Sequence, residues 1–200
     1  FGRVRYLVAP KTGGTFAKIK ARRYDRPTGS PVLPYFAQVK GLDWRHIAAA
    51  TSEPCVGVEG EKKALAGALN GLPVFGLGGV WNFLQHGALK DTSNLIPELD
   101  ALAWRGRDFY LAFDSDAPGN KNILAAEGRL ARELGLQRGA KVYCVRFPHS
   151  DTGKIGLDDY LLANGADSFL DLARTANPMR EADALLAELN QEHAVVCVGG

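Results

Sequence analysis

The sequence predicts an α/β fold: a central parallel sheet of about four strands flanked by helices, preceded by an N-terminal β-rich accessory region. Strand-like and helix-like segments alternate from residue 54 onward. The strand-like segments VGV, PVFGL, FYLAF and KVYCVRF are nearly continuous apolar runs. Such runs belong to strands covered on both faces, as in a parallel sheet with helical crossovers. Before residue 54 the pattern is different, with short β-like runs broken by turns and by Pro10, Pro27, Pro31 and Pro34, which disfavour helix.

In chain order, RVRYLVAP and SPVLPYFAQV read as strands, separated by turns at KTGG and RPTGS. PCVGVEG is a short apolar strand, and EKKALAGALNG a helix ending at Gly71. LPVFGLGG is a second strand running into glycines. Residues 81–94 are looser, and NLIPELDALAWRG reads as a helix. DFYLAFDSD is the clearest strand. APGNKNILAAEGRLARELG is the clearest helix, with Ile123, Leu124, Leu130, Ala131 and Leu134 in helical spacing. AKVYCVRFP is the next strand, and GLDDYLLANG and ADSFLDLARTA are two short helices. Residues 178–192 read as an acidic amphipathic helix, and HAVVCVGG as the start of another strand. The organisation expected is an accessory region over 1–52, the α/β domain over 53–172, and a helical linker over 173–200 leading to a further domain.

Composition narrows the class. The 200 residues are 46% hydrophobic, enough for one sizeable core, and no apolar run reaches the ~18 residues of a membrane span. The N-terminus lacks a signal-peptide layout and an initiator Met, as expected of a piece cut from a longer protein. Cys55, Cys144 and Cys197 are far apart without metal-ligand spacing. Cys55 and Cys144, each in a strand-like apolar run, read as reduced core residues of a cytoplasmic protein, and a disulfide framework is not expected. Charge is uneven: residues 1–50 carry 10 Lys+Arg against 2 Asp+Glu, whereas the remainder is net acidic. A basic surface for a polyanion beside an acidic centre fits this split, as does a solvated basic face.

The acidic centre is the informative feature. Ligands in open α/β sheets bind beyond the carboxyl ends of the strands. Glu59 ends the first of these strands, Asp114 and Asp116 follow the third, and Asp158 and Asp159 follow the fourth. An acid after a strand is often only a helix cap. Three acidic clusters at three strand ends would repel one another unless a cation sat among them. Mg²⁺, or Mn²⁺ in its place, takes one or two carboxylates plus waters and phosphate oxygens. Asp114 and Asp116, at i and i+2 of an extended segment, point the same way and can share an ion.

Basic residues supply candidate phosphate contacts. Lys62 and Lys63 follow Glu59 within one helical turn, and Gly60 opens that helix, whose N-terminus suits an anion. Gly76, Gly78 and Gly79 fit either a close phosphate approach or a tight turn. The stretch KIKARRYDR carries Lys18, Lys20, Arg22, Arg23 and Arg26 around Tyr24, a pattern suited to single-stranded nucleic acid or to a solvated loop. Trp44, Trp81 and Trp104 read as core or domain contacts. Of the histidines, His149 alone falls near the acids. No GxxxxGK[ST] phosphate loop is present.

With Glu59-Gly60 and Asp114-Ser-Asp116-Ala-Pro-Gly119 in view, the chain resembles the Toprim family of DnaG-type primases, type IA and type II topoisomerases, and OLD and RecR proteins. FPHSDTGKIGLDDY partly matches a further primase element, with Asp158 at its first acid and Asp159 in place of a Pro. A longer likeness, through RYLVAP, EGEKKALAGALNGLPVFGLGGVWNF, GRDFYLAFDSD, GAKVYCVRFP and GLDDYLLANG, is to a Toprim-like domain of plasmid- and phage-type replication proteins. There it precedes a helicase-like ATPase, whose start LNQEHAVVCVGG resembles. The resemblance implies metal binding by Asp114 and Asp116, with Asp158 or Asp159 contributing. It implies an acid–base role for Glu59, and single-stranded DNA and nucleoside triphosphates as partners. Primase-like nucleotidyl transfer, hydrolysis by a Toprim nuclease, and a non-catalytic binding module of a replicative helicase all remain open. A haloacid-dehalogenase-like phosphatase shares the DxD, but Ala117-Pro118 departs from that pattern and Glu59 would have no role in it.

Overall fold

The centre of the sheet is β4 (Cys55–Glu59), buried from Cys55 to Val58. The computed structural model describes residues 31–85, 95–151 and 153–179, and the backbone of two short strands, β1 (Val4–Arg5) and β2 (Tyr24–Asp25). The chain divides into two units, Phe1–Pro31 and Val32–Gly200. In the first, β1 and β2 pair antiparallel, Val4 opposite Asp25 and Arg5 opposite Tyr24.

In the second unit, β5 (Val74–Leu77) lies parallel to β4 on one side and β6 (Asp108–Leu111) on the other. Beyond β6 lies β7 (Lys141–Cys144), also parallel. The short strand β3 (Tyr35–Phe36) pairs antiparallel with β5 and gives the order β3-β5-β4-β6-β7. The four apolar runs are thus the parallel strands, and the sheet is mixed by one edge strand.

Helices cover both faces. Val56, Val58, Val74 and Ala112 pack with Ala64 of α2 (Glu61–Leu69) and with Leu157, Leu161 and Phe169 of α5 (Leu157–Thr175). Phe75, Leu77, Phe109 and Leu111 pack on the other face with Ile123, Ala126 and Leu130 of α4 (Lys121–Ala131). Gly57 makes this second face possible. A Cβ there would come within 2.7 Å of the Phe109 ring; without it, Phe75 and Phe109 stack across β4 at 5.7 Å and 8°. The two helices expected in 157–175 appear as one element broken at Gly165, where φ is 79°.

Two expectations change. The helix read in NLIPELDALAWRG is only the single turn α3 (Pro97–Asp100). Leu95 bridges Leu84 instead, and the Ala103 amide bonds Ala48 O at 2.8 Å, drawing the chain out of the helix. Residues 32–52 also belong with the sheet, whereas the sequence reading assigns 1–52 to an accessory region. The cause is Arg107, whose side chain is fully buried. Its guanidinium donates to Ala103 O at 2.7 Å, Cys55 Sγ at 2.8 Å, Ile47 O at 2.6 Å and Ala48 O at 3.2 Å. It thereby ties α1 (Trp44–Ala49) to the amino end of the sheet.

The described cysteines, Cys55 and Cys144, are free. Burial raises the Cys55 thiol although Arg107 opposes it. Burial and the charge of Glu127 push Cys144 up to about 12. Trp104 is buried with its Nε1 on Leu99 O at 2.7 Å. The segment after α5 returns to the outer edge of β7, where the Met179 amide bonds Val142 O at 2.8 Å. Lys18, Lys20, Arg22, Arg23 and Arg26, and the expected elements beyond residue 179, lie outside the described residues. No described helix is long and apolar enough to cross a membrane.

Replacing Arg107 by Met leaves several buried carbonyls without a donor. Arg107→Met is expected to lower the unfolding free energy by at least about 2 kcal/mol, read from urea denaturation; a change below about 0.5 kcal/mol would show that the clamp is dispensable.

Candidate functional site

From β4 the chain crosses to β5 on one side and then to β6 on the other, so the topological switch point falls between β4 and β6. Glu59 closes β4 there, and Asp114 and Asp116 stand just beyond β6. The turn after Glu59 requires glycine: Gly60 has φ 101° and ψ 153°, a region other residues scarcely enter. Gly60 N–H donates to Leu77 O at 2.7 Å, so this amide is engaged in the sheet and does not face an anion. Gly76 allows the same close approach, since a Cβ on it would meet Gly60 O at 2.6 Å.

Asp114 is the buried acid of the site, 3% exposed. Two lysines neutralise it. Lys63, on the first turn of α2, places Nζ 3.0 Å from Asp114 Oδ1 and donates to Glu59 O at 3.3 Å. Asp114 Oδ1 is thus compensated by the Lys63 ammonium. Lys154 Nζ lies 2.8 Å from Asp114 Oδ2 and 3.9 Å from Asp116 Oδ2. Its hydrogen bond to Asp114 raises Lys154 above the ordinary lysine value. Burial opposes the rise, while the charges of Asp114, Asp116 and Glu59 add to it.

The loop carrying Lys154 is fixed to the Asp114 loop. Ser115 N–H donates to Ile155 O at 2.9 Å, and Ile155 N–H donates to Ser115 Oγ at 2.9 Å. Gly156 then lies against the acids. A Cβ on it would come within 2.9 Å of Asp158 Oδ1 and 3.0 Å of Asp114 Oδ1, and would collide with Lys63 Cε. Asp159 caps α5, its Oδ2 accepting from Gly156 N–H at 3.2 Å. Asp158 Oδ1 is buried with no hydrogen-bond donor. Structure therefore separates the two neighbouring acids that sequence left equivalent.

Glu59, Lys63, Asp114, Asp116 and Asp158 are brought to one sheet edge. Asp159 is a cap, and Lys62 is exposed. Sequence reasoning missed Lys154, Ser115 and Gly156. A lysine between two acidic clusters, in a loop resembling a primase element, was the available signal. Beside Asp116 lies an open cleft of about 780 Å³, lined by Ser115, Asp116, Pro118, Lys121, Phe147 and His149.

The donor set suits a hard cation. Asp158 Oδ1, beside Gly156, lacks a donor, and an orphaned buried oxygen calls for an ion or water. Among the described residues no three such side chains form a ready-made cage. Mg²⁺ does not need one, because it keeps waters and takes phosphate oxygens.

Residues 43–168 match a protein family described as a domain of unknown function, DUF3854. The chain belongs to that family. An uncharacterized protein of Picosynechococcus sp. is 31% identical over 144 residues, which are 68% of this chain and 14% of that protein. The DUF3854 domain is also similar to the solved structure of the Aquifex aeolicus primase, zinc binding and RNA polymerase domains, with TM-score 0.55 at 18% identity. That likeness covers 88% of this chain and 37% of the primase chain, and gives the domain a primase-like fold. The chain therefore spans only a minor part of either relative's length.

Gly60→Ala is expected to cost about 1–3 kcal/mol of stability through backbone strain. Gly156→Ala should also destabilise, by driving Lys63 off Asp114. Because Lys63→Ala removes the colliding atom, the double variant should fall short of additivity by at least about 0.5 kcal/mol. Urea denaturation of the four-member cycle measures this; strict additivity would rule out the contact.

Proposed function

We propose that this domain is a Toprim-type, Mg²⁺-dependent catalytic module with primase-like nucleotidyl transfer, joining nucleoside triphosphates on a single-stranded DNA template. One observation carries the reading: a buried, lysine-neutralised aspartate at the switch point, with the unsatisfied Asp158 Oδ1 beside it and a glutamate at the neighbouring strand end. The primase-like fold supports it, although fold alone does not specify chemistry.

Asp114, Asp116 and Asp158 would hold the metal. When bound, Mg²⁺, or Mn²⁺ in its place, would screen phosphate charge and orient an attacking hydroxyl. Glu59 would take the proton from that hydroxyl, a step within the reach of a carboxylate at a strand end. Lys63 stays on the Asp114 and Glu59 side and holds the two strand ends together. Lys62, exposed on the same turn, is available to a phosphate. The basic stretch with Lys18, Lys20, Arg22, Arg23 and Arg26 would track the DNA backbone. We place the domain in a cytoplasmic replication protein of plasmid or phage type, ahead of a helicase-like ATPase.

The test is primer synthesis by the full-length protein on single-stranded DNA with labelled nucleotides and Mg²⁺ or Mn²⁺. Glu59→Gln and Asp114→Asn/Asp116→Asn are each expected to lower the rate by about 10²-fold or more while the variants keep cooperative melting. Metal-dependent loss of the template that needs the same acids would point to a nuclease. Absence of chemistry, with DNA binding unchanged in the variants, would leave a binding module.

A further inference from the structure

Lys154 has no place in the function so far, yet its ammonium occupies the position that matters most. It touches Asp114 Oδ2 at 2.8 Å and Asp116 Oδ2 at 3.9 Å. A divalent cation bound on the Oδ2 side of those two carboxylates would come to the same oxygens. An ammonium and a divalent ion cannot both sit there, because like charges at such range repel strongly.

The two lysines on Asp114 are not equivalent. The Lys63 side chain is 20% exposed and has a second anchor on Glu59 O. The Lys154 side chain is 57% exposed. The backbone next to Lys154 is held by the paired Ser115–Ile155 hydrogen bonds. The loop can therefore stay in place while the lysine stem swings outward. Lysine suits such a role, being a compact charge on a flexible stem without the forked geometry that locks arginine onto a carboxylate.

We infer that Lys154 is an internal counter-ion that a divalent metal displaces, and that the freed ammonium then binds a phosphate of the incoming nucleoside triphosphate. This rests on the metal-site reading above. Before metal arrives, Lys154 offsets the repulsion between Asp114 and Asp116. Afterwards the same charge is tethered within reach of the metal's own ligand. The arrangement ties the site's closed, inert state and its loaded state to one side chain.

The experiment measures Mn²⁺ binding to the full-length protein without nucleotide, by electron paramagnetic resonance of the free ion, alongside nucleotide kinetics. Lys154→Met should bind Mn²⁺ about fivefold tighter than wild type, because the competing charge is gone. Lys154→Arg, which keeps the charge and adds the locking fork, should bind Mn²⁺ more weakly than wild type. In primer synthesis Lys154→Met should raise the nucleotide KM more than it lowers kcat. Lys121→Met, which removes an exposed charge beside the neighbouring cleft, is the control for bulk field. Unchanged or weaker Mn²⁺ binding by Lys154→Met, while Asp114→Asn abolishes binding, would overturn the inference and leave the metal site standing. Equal tightening by Lys121→Met would overturn it too. Tighter binding with an unchanged KM would remove the phosphate role. If wild type binds no Mn²⁺ through Asp114, the metal-site reading fails and the inference with it.

Discussion

A carboxylate buried as deeply as Asp114 cannot remain charged without compensation, and much of the site follows from that constraint. Desolvation of a lone carboxylate costs several kcal/mol or leaves it protonated. Lys63 and Lys154 supply the compensation from opposite sides. Lys63 can reach because Gly60 turns the chain sharply into α2. Lys154 can reach because Ser115 and Ile155 join the two loops. Gly156 must lack a side chain because Lys63 and two carboxylate oxygens already fill the space around it. One buried charge thus fixes residues on three separate segments.

The sheet delivers these segments to a common edge. β4 is flanked by parallel strands on both sides, so the crossovers diverge at its carboxyl end and leave a crevice there. The opposite end is closed by a different charge. Arg107 is buried among carbonyl oxygens and the Cys55 thiol, and it fastens α1 to the strands. One end of the sheet is locked by an arginine whose donors are spent on backbone carbonyls and the buried Cys55 thiol. The other carries lysines on acids that lie partly open to solvent.

How much of this can be read from sequence depends on the range of the forces involved. The four parallel strands were legible because burial on both faces writes itself as unbroken apolar runs. Glu59, Asp114 and Asp116 were legible because strand-end acids are unusual in a cluster. The edge strand β3 was not assigned to this sheet, because its pairing with β5 depends on packing with Phe75, remote in sequence. The helix around residue 97 was overread, since the periodicity of LIPELDALAW contains no sign that Ala48 will capture the Ala103 amide. Asp158 and Asp159 could not be told apart, since only the folded loop decides which of them caps α5. Lys154 was missed because its partners lie about forty residues away and meet it only through loop closure.

A comparison within the molecule separates the Asp114 cluster from ordinary structural ion pairs. Glu127 is fully buried, yet Arg146 meets both of its oxygens at 2.6 Å. Burial alone would lower Arg146, but the hydrogen bonds and charge of Glu127 outweigh it and raise the guanidinium further. Such a forked pair satisfies both partners and leaves nothing to exchange. Asp114 is buried almost as deeply, but it is met by two single-point lysines, one on each oxygen and one of them half in solvent. If the cluster served only to hold loops together, a single arginine would do so with a better-matched, forked geometry. Exchangeable cations around a fixed carboxylate are what a site needs if its counter-ion must leave when a metal and a phosphate arrive.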